Sequence, residues 1–328
     1  MQNNNYYVRS HKRNGRFINI KATKRVRRTL LDFFLWKIGK YKFDDEIIEI
    51  PTNFSFPKID KPFYADKPWV TWVGHCTFLI KVNGFYILTD PIWNDNCSPV
   101  SSIGPKRHHP PALDLATLSR VDYVMISHDH YDHLDKKTII ALQKKFPNIK
   151  WVVPLGIERW FKKWKIKNVT RLDWWESFED DFIKINSVPA QHYSGRTLLD
   201  GNKTLWTGYV LESKCIEKKL YLTGDTGYND VIFKEIGNRF KKIDLSLIPI
   251  GTYVPRKFMN PVHIDPQAAV HIHKDVNSEL SIAMHWKTFH LSDESMQLPP
   301  YELYLELKKE NIDTTRFAVL ELGSYVNW

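Results

Sequence analysis

Cysteine is scarce in this 328-residue chain: Cys76, Cys97 and Cys215 stand far apart and form no C-x-x-C pair. That argues against a disulfide scaffold and a thiolate zinc knuckle, and leaves three free thiols suited to a reducing compartment. No apolar run approaches the roughly eighteen residues that span a bilayer, and residues 1–7 are Asn-rich where a secretory signal would lead into an apolar stretch. The expectation is a cytoplasmic protein. Low-complexity tracts and short repeats are lacking too, while 43% hydrophobic and 14% aromatic residues suffice for a large core.

Acidic residues are almost missing from the first 42 positions, which hold twelve Lys/Arg and only Asp32; the remainder carries 35 basic against 36 acidic residues. The net charge of +10 therefore belongs to a leader. A near-neutral body without a basic-aromatic tract argues against nucleic acid as a partner. Within the leader, residues 24–38 join a cluster of basic residues to Leu30, Leu31, Phe33, Phe34, Leu35 and Trp36. Two readings stand: peripheral contact with anionic lipid headgroups, or docking of a terminal helix on the body. Residues 43–67, rich in Pro and Asp, read as an extended connection, so the chain divides into a leader and connection (1–67) and a catalytic body (68–328). No pattern bears on oligomeric state.

From Trp69 the chain alternates apolar and polar residues around Asn83–Gly84, a hairpin signal. The run at 121–128 is β-branched and ends in histidines, as a buried strand does where it opens into a site. Helical spacing follows at 135–146, and again at 230–240, 265–273 and 301–309, each lying between strand-like runs. Strands outnumber helices in both halves. The expected class is α/β, a four-layer αββα sandwich of two similar halves.

Residues 127–135, SHDHYDHLD, place His128, His130, Asp132 and His133 within six residues at a strand end. Zinc takes neutral imidazole nitrogen and carboxylate oxygen, about four donors per ion, with one position left open in catalytic sites. His128 and His130 share a side and can chelate one ion; Asp132 and His133, on the following turn, can reach a second. Further donors are expected at other strand ends, where His192, Asp225 and His285 stand. For Asp225 alone a turn carboxylate is the plainer reading. Imidazole and carboxylate also suit iron and manganese, so the donors do not choose the metal.

These motifs, with VTWVGHCTF, LTDPIW, SPVSSIGPKR, LDWWE, AQHYSGRTLLD, LYLTGDTGY, DLSLIPIGTYVPRKFM, HIDPQAAVHIH and AMHWKTF, resemble the metallo-β-lactamase superfamily. Within it the chain is similar to the N-acylphosphatidylethanolamine-hydrolysing phospholipase D group and its bacterial relatives, from about Trp69 to Leu322. The resemblance implies the αββα fold of that superfamily and two zinc ions. One is held by His128, His130 and His192, the other by Asp132, His133 and His285, with Asp225 between them. It also implies cleavage of a phospholipid or other small phosphodiester by a metal-bridging hydroxide, with Asp132 and Asp225 as catalytic groups. Tyr131 and His263 match positions near substrate, while His75 and Asp90 are placed to orient the ligands. Val262 departs from the glutamine that contacts substrate in the animal enzymes, which bears on specificity more than on chemistry. A lactonase or other small-molecule hydrolase is the alternative on the same centre; a nuclease and a non-catalytic metal-binding protein fit less well. His271 and His273, two apart on a helix, are expected at the surface, and His108 and His109 in a solvated loop.

Overall fold

A computed structural model describes residues 9–20, 32, 35, 36, 38–40, 48–59, 62–100, 103–197 and 199–328. Most of the amphipathic segment at 24–38 lies outside them. The leader nonetheless contains a hairpin, β1 (His11–Arg13) and β2 (Arg16–Ile18). Its turn residues, Asn14 and Gly15, both take positive φ (53° and 72°), the conformation that a tight hairpin demands. The hairpin lies on the body. Phe17 is buried against Trp174, Ala190, Leu205 and Trp206, and its N–H donates to the Asn202 carbonyl at 2.8 Å.

The body opens with β3 (Trp69–Gly74), β4 (Thr77–Val82) and β5 (Phe85–Thr89), antiparallel neighbours turned at Asn83–Gly84. Then β6 (Tyr123–Met125), β7 (Lys150–Pro154) and β8 (Val169–Leu172) add in parallel, and the C-terminal β16 (Tyr325–Asn327) pairs with β3. The result is a seven-stranded sheet ordered β16-β3-β4-β5-β6-β7-β8. A second such sheet runs β15-β14-β13-β12-β11-β10-β9. Its strands are β9 (Ser177–Glu179), β10 (Ile183–Val188), β11 (Gly208–Ser213), β12 (Lys219–Leu222), β13 (Ile243–Pro249), β14 (Ser278–Met284) and β15 (Phe317–Ala318). Here too an antiparallel half, β9 to β12, continues into parallel strands, β12 to β15.

Side-chain alternation sets the layers. Phe78, Ile80, Tyr123, Met125 and Val152 enter the same core as Tyr209, Leu245 and Leu247 of the second sheet. Their neighbours Leu79, Val124 and Trp151 face the other way, onto Ile139 and Leu142 of α1 (Lys136–Lys145) and Phe161 of α2 (Glu158–Lys163). On the far face of the second sheet lie α3 (Asp230–Phe240), α5 (Pro266–Asp275) and α6 (Leu298–Lys309); the short α4 (Arg256–Met259) sits in a connection. Each fully buried Leu, Ile or Phe contributes roughly 1.5–3 kcal/mol, so the inter-sheet layer dominates stability. The four-layer αββα expectation holds. Among the described residues no helix is long and apolar enough to cross a membrane.

One surface assignment fails. His273 is buried and its Nδ1 lies 2.8 Å from Ser281 Oγ on β14, because α5 is covered by β13 and β14 on one side and by α3 and α6 on others. Spacing along a helix reports which residues share a face but not how many faces are covered. Burial, assisted by Arg316, lowers the His273 pKa to about 4. Between pH 6.5 and about 4 the unfolded chain therefore binds the extra proton and the folded one does not. Stability should fall as pH drops through that window, by at most about 3 kcal/mol from this residue. His273→Gln should remove that part of the loss in urea unfolding at pH 7 and 4.5; an unchanged pH dependence contradicts the assignment.

Candidate metal centre

The parallel strands of both sheets end at one rim, and the cluster is built from the residues that follow them. β6 leads into Ser127–Asp135, where Asp135 caps α1 by accepting from the N–H groups of Lys137 and Thr138. β12 leads to Asp225, β14 to His285, and the segment after β10 to His192. His285 sits at φ 59°, an uncommon conformation for a non-glycine residue that aims its ring into the rim.

All seven predicted donors converge. His128, His130 and His192 form one group whose ligating atoms lie within 4.8 Å of one another, and Asp132, His133, Asp225 and His285 form another. His128 Nε2 is 2.8 Å and His192 Nε2 3.3 Å from His130 Nδ1. Asp225 Oδ2 lies between the groups, 3.1 Å from His285 Nε2, 3.3 Å from His133 Nε2, 3.8 Å from His192 Nε2 and 3.9 Å from His128 Nε2. Asp132 Oδ2 is 3.1 Å from His133 Nε2 and 3.4 Å from His285 Nε2.

The outward Nδ1 atoms of His128, His133, His192 and His285 are engaged, which fixes these four rings with Nε2 facing inward, whereas His130 turns its Nδ1 into the cluster. His128 Nδ1 meets Ser127 Oγ at 2.9 Å, His133 Nδ1 meets Asp90 Oδ2 at 2.8 Å, His192 Nδ1 meets the Val262 carbonyl at 2.7 Å, and His285 Nδ1 meets Thr252 Oγ1 at 3.2 Å. Asp90 also accepts from the Ser127 N–H (2.7 Å) and hydroxyl (2.6 Å). His75 Nε2 lies 2.8 Å from Asp132 Oδ2. His75 and Asp90 thus contact Asp132 and His133 respectively.

Electrostatics divides the cluster in two. Burial, together with neighbouring imidazoles, holds His128 well below its usual pKa; burial lowers His130 to about 4 and His192 to about 3, so all three are neutral donors. For His133 and His285 burial acts in the same direction, but the carboxylates of Asp225 and Asp132 outweigh it. His133 is raised well above the ordinary value and His285 to about 9. Burial likewise opposes charge on Asp225 and Asp132, and the imidazoles, His133 foremost, overcome it and hold both well below the usual carboxylate range.

The donor set fits metal. His133 Nε2 and His285 Nε2 are buried facing the carboxylates at 3.1–3.4 Å without hydrogen-bonding geometry, and Asp225 Oδ1 is buried without a hydrogen-bond partner. Stranded buried polar atoms cost free energy unless something binds them. The seven donors are imidazole and carboxylate; Cys76 Sγ also lies within 4.8 Å of the His133 and His285 nitrogens, but burial pushes its thiol well above the ordinary pKa, and a set without thiolate suits a catalytic centre better than a closed structural one.

The cluster opens into a cavity of about 260 Å³. Tyr131 and His263 line it, and the Tyr131 hydroxyl donates to the Arg196 carbonyl at 3.0 Å. His263 Nδ1, buried and unpartnered, is 3.8 Å from Asp225 Oδ2. Burial lowers its pKa to about 3.

Three contributors were not foreseen. Arg196 Nη1 donates to the carbonyls of Asp129 and Leu134 at 2.8 Å each, and its guanidinium lies 3.9 Å from the Tyr131 ring centroid. It thereby ties the loop carrying four donors to the segment carrying His192. Thr252 orients His285. Asn19, in the leader, brackets the His192 backbone, donating to its carbonyl at 2.8 Å and accepting from its N–H at 3.0 Å. Arg196 was visible within the AQHYSGRTLLD motif; nothing local marks Asn19, whose partner is 173 residues away.

Residues 86–286 match the beta-lactamase superfamily domain. The chain is 40% identical over 268 residues to the N-acyl-phosphatidylethanolamine-hydrolyzing phospholipase D 1 of Caenorhabditis elegans, covering 78% of this chain and 74% of that one. It is 35% identical over 238 residues to the mitochondrial N-acyl-phosphatidylethanolamine-hydrolyzing phospholipase D of Saccharomyces cerevisiae, covering 71% of this chain and 50% of the yeast protein. Among solved structures, the metallo hydrolase Igni18 of Ignicoccus hospitalis aligns with a TM-score of 0.59 at 21% identity, over 80% of this chain and 98% of that one.

Proposed function

The chain belongs to the metallo-β-lactamase superfamily and is a metal-dependent hydrolase, and from that premise we propose that it is a zinc phosphodiesterase of phospholipase D type. Its substrate in this reading is a glycerophospholipid of the N-acylphosphatidylethanolamine class, cleaved to phosphatidate and an N-acylethanolamine. The observation that carries the reading is the 40% identity to an enzyme named for that reaction.

His128, His130 and His192 would hold one ion and Asp132, His133 and His285 a second, with Asp225 standing between the two donor groups. Bound there, the ions would supply Lewis acidity towards a phosphoryl group. The residues do the rest. Ser127, Asp90, Val262 and Thr252 hold the imidazoles in register, so little reorganisation is needed when charge develops. His75 fixes Asp132, whose depressed pKa keeps it a carboxylate and so available as a donor to metal, while Asp225 holds the two halves of the cluster together. His263, kept neutral by burial, presents Nδ1 to the cavity for one hydrogen bond to a phosphoryl oxygen. The basic leader brings this site to an anionic lipid surface on the cytoplasmic side.

The test is turnover of zinc-loaded protein on N-acylphosphatidylethanolamine vesicles, with bis(p-nitrophenyl) phosphate and a lactone panel alongside. Release of phosphatidate and N-acylethanolamine is expected. Lactone opening without phosphodiester cleavage sinks the phospholipase reading and leaves a lactonase on the same centre.

A further inference from the structure

The residues matched by the family domain begin at 86, yet part of the catalytic cavity comes from position 36. Trp36 lines the cavity together with Phe258, Met259, Val262 and Leu291, opposite a polar side that includes Asp132, Asp225 and His263. It is held from two directions: its indole stacks on Phe258 with centroids 5.4 Å apart, and its Nε1–H donates to Asp293 Oδ2 at 2.7 Å. Phe258 belongs to α4 and Asp293 to the loop before α6, so one leader residue joins two body segments beside the site.

An indole stacked on a phenyl ring, bordered by aliphatic side chains, prefers an apolar occupant and contributes no charge. The cavity is a little smaller than the roughly 300–1,000 Å³ of pockets that enclose whole drug-sized ligands. It accommodates a phosphoryl-sized group at the donor cluster and the first stretch of one alkyl chain along the apolar wall. Asn19 gives the leader a second, separate connection to the site by bracketing the His192 backbone.

We propose that Trp36 is a specificity-determining residue: the leader supplies the wall that selects substrates bearing a linear alkyl or acyl chain next to the scissile phosphoryl group. The proposal rests on the phosphodiesterase reading for the identity of the reacting group, but it is tested by binding alone.

Zinc-loaded protein is titrated calorimetrically with n-alkylphosphonates from ethyl to decyl, all below their micelle concentrations. Wild-type affinity should rise with chain length, by up to roughly fourfold per methylene buried, before levelling off. In Trp36→Ala that gain should drop by more than half over the first several carbons. Trp36→Phe, which keeps an aromatic ring against Phe258, should retain most of it, and Asp293→Ala, which frees the indole to swing, should fall between. Folding of each variant is checked by thermal unfolding; if Trp36→Ala does not fold, the Trp36→Phe and Asp293→Ala slopes decide. A wild type indifferent to chain length, or slopes equal in wild type and variants, overturns the proposal. A wild type that shows the slope but cleaves no phosphodiester refutes the proposed reaction and leaves this inference standing.

Discussion

Asp225→Asn should lower hydrolysis by at least about 10³-fold while the fold survives. Among the described residues Asp225 is the one carboxylate within 4 Å of imidazole nitrogens from both donor groups. The amide has nearly the same size, so packing changes little, but it removes a negative charge and turns one acceptor into a donor facing imidazole nitrogens. Lewis-acid stabilisation is worth several kcal/mol, and each 1.4 kcal/mol lost is tenfold in rate. In the metal-free protein the same change takes away the main partner of His133 and His285, which should shed protons more readily and soften any loss of stability. Initial rates are read with bound metal determined on the same sample and unfolding temperature as the control for folding. A rate within tenfold of wild type, at equal metal content, would remove Asp225 from the centre.

The donor cluster was legible because its signal is local. H-x-H-x-D-H compresses four donors into one strand end, and His192, Asp225 and His285 could be found by asking what stands at the ends of other apolar runs. The strands were legible for the same reason: the apolar–polar alternation from Trp69 around Asn83–Gly84 and the β-branched run at 121–128 are written in consecutive residues. What escaped was long-range. Asn19 supports His192, and Trp36 meets Phe258 and Asp293, through contacts that span more than 150 residues and carry no motif. The leader's basic composition left lipid contact and docking as open readings for residues 24–38; upstream of them the neutral Phe17 and Asn19 dock on the body, as does Trp36 within them. His273 escaped because periodicity gives the direction of a side chain and not what lies above it.

Loading zinc onto the metal-free protein near pH 7 should release about two protons from histidines, and affinity should therefore strengthen steeply with pH. The three-histidine group contributes nothing to that count, since burial already keeps His128, His130 and His192 neutral. His133 and His285 are different. Burial disfavours their charge, but Asp225 and Asp132 override it, so both enter the metal-free state as imidazolium, His285 up to about pH 9. An imidazolium cannot ligate, and each must lose its proton as the ion arrives. Two coupled protons make the apparent binding constant change by about 100-fold per pH unit while both groups stay charged, weaker as pH falls. Calorimetric titration with zinc in buffers of different ionisation enthalpy yields the count directly, and His285→Gln should lower it by about one. Chelation at pH 6 should accordingly strip the centre and abolish hydrolysis faster than at pH 8, with activity restored by added zinc at the higher pH. A count near zero would mean that the carboxylates do not charge these histidines. In that case Asp132 and Asp225 would face an all-neutral cluster, and the division of the seven donors into a neutral half and an ion-paired half would be wrong.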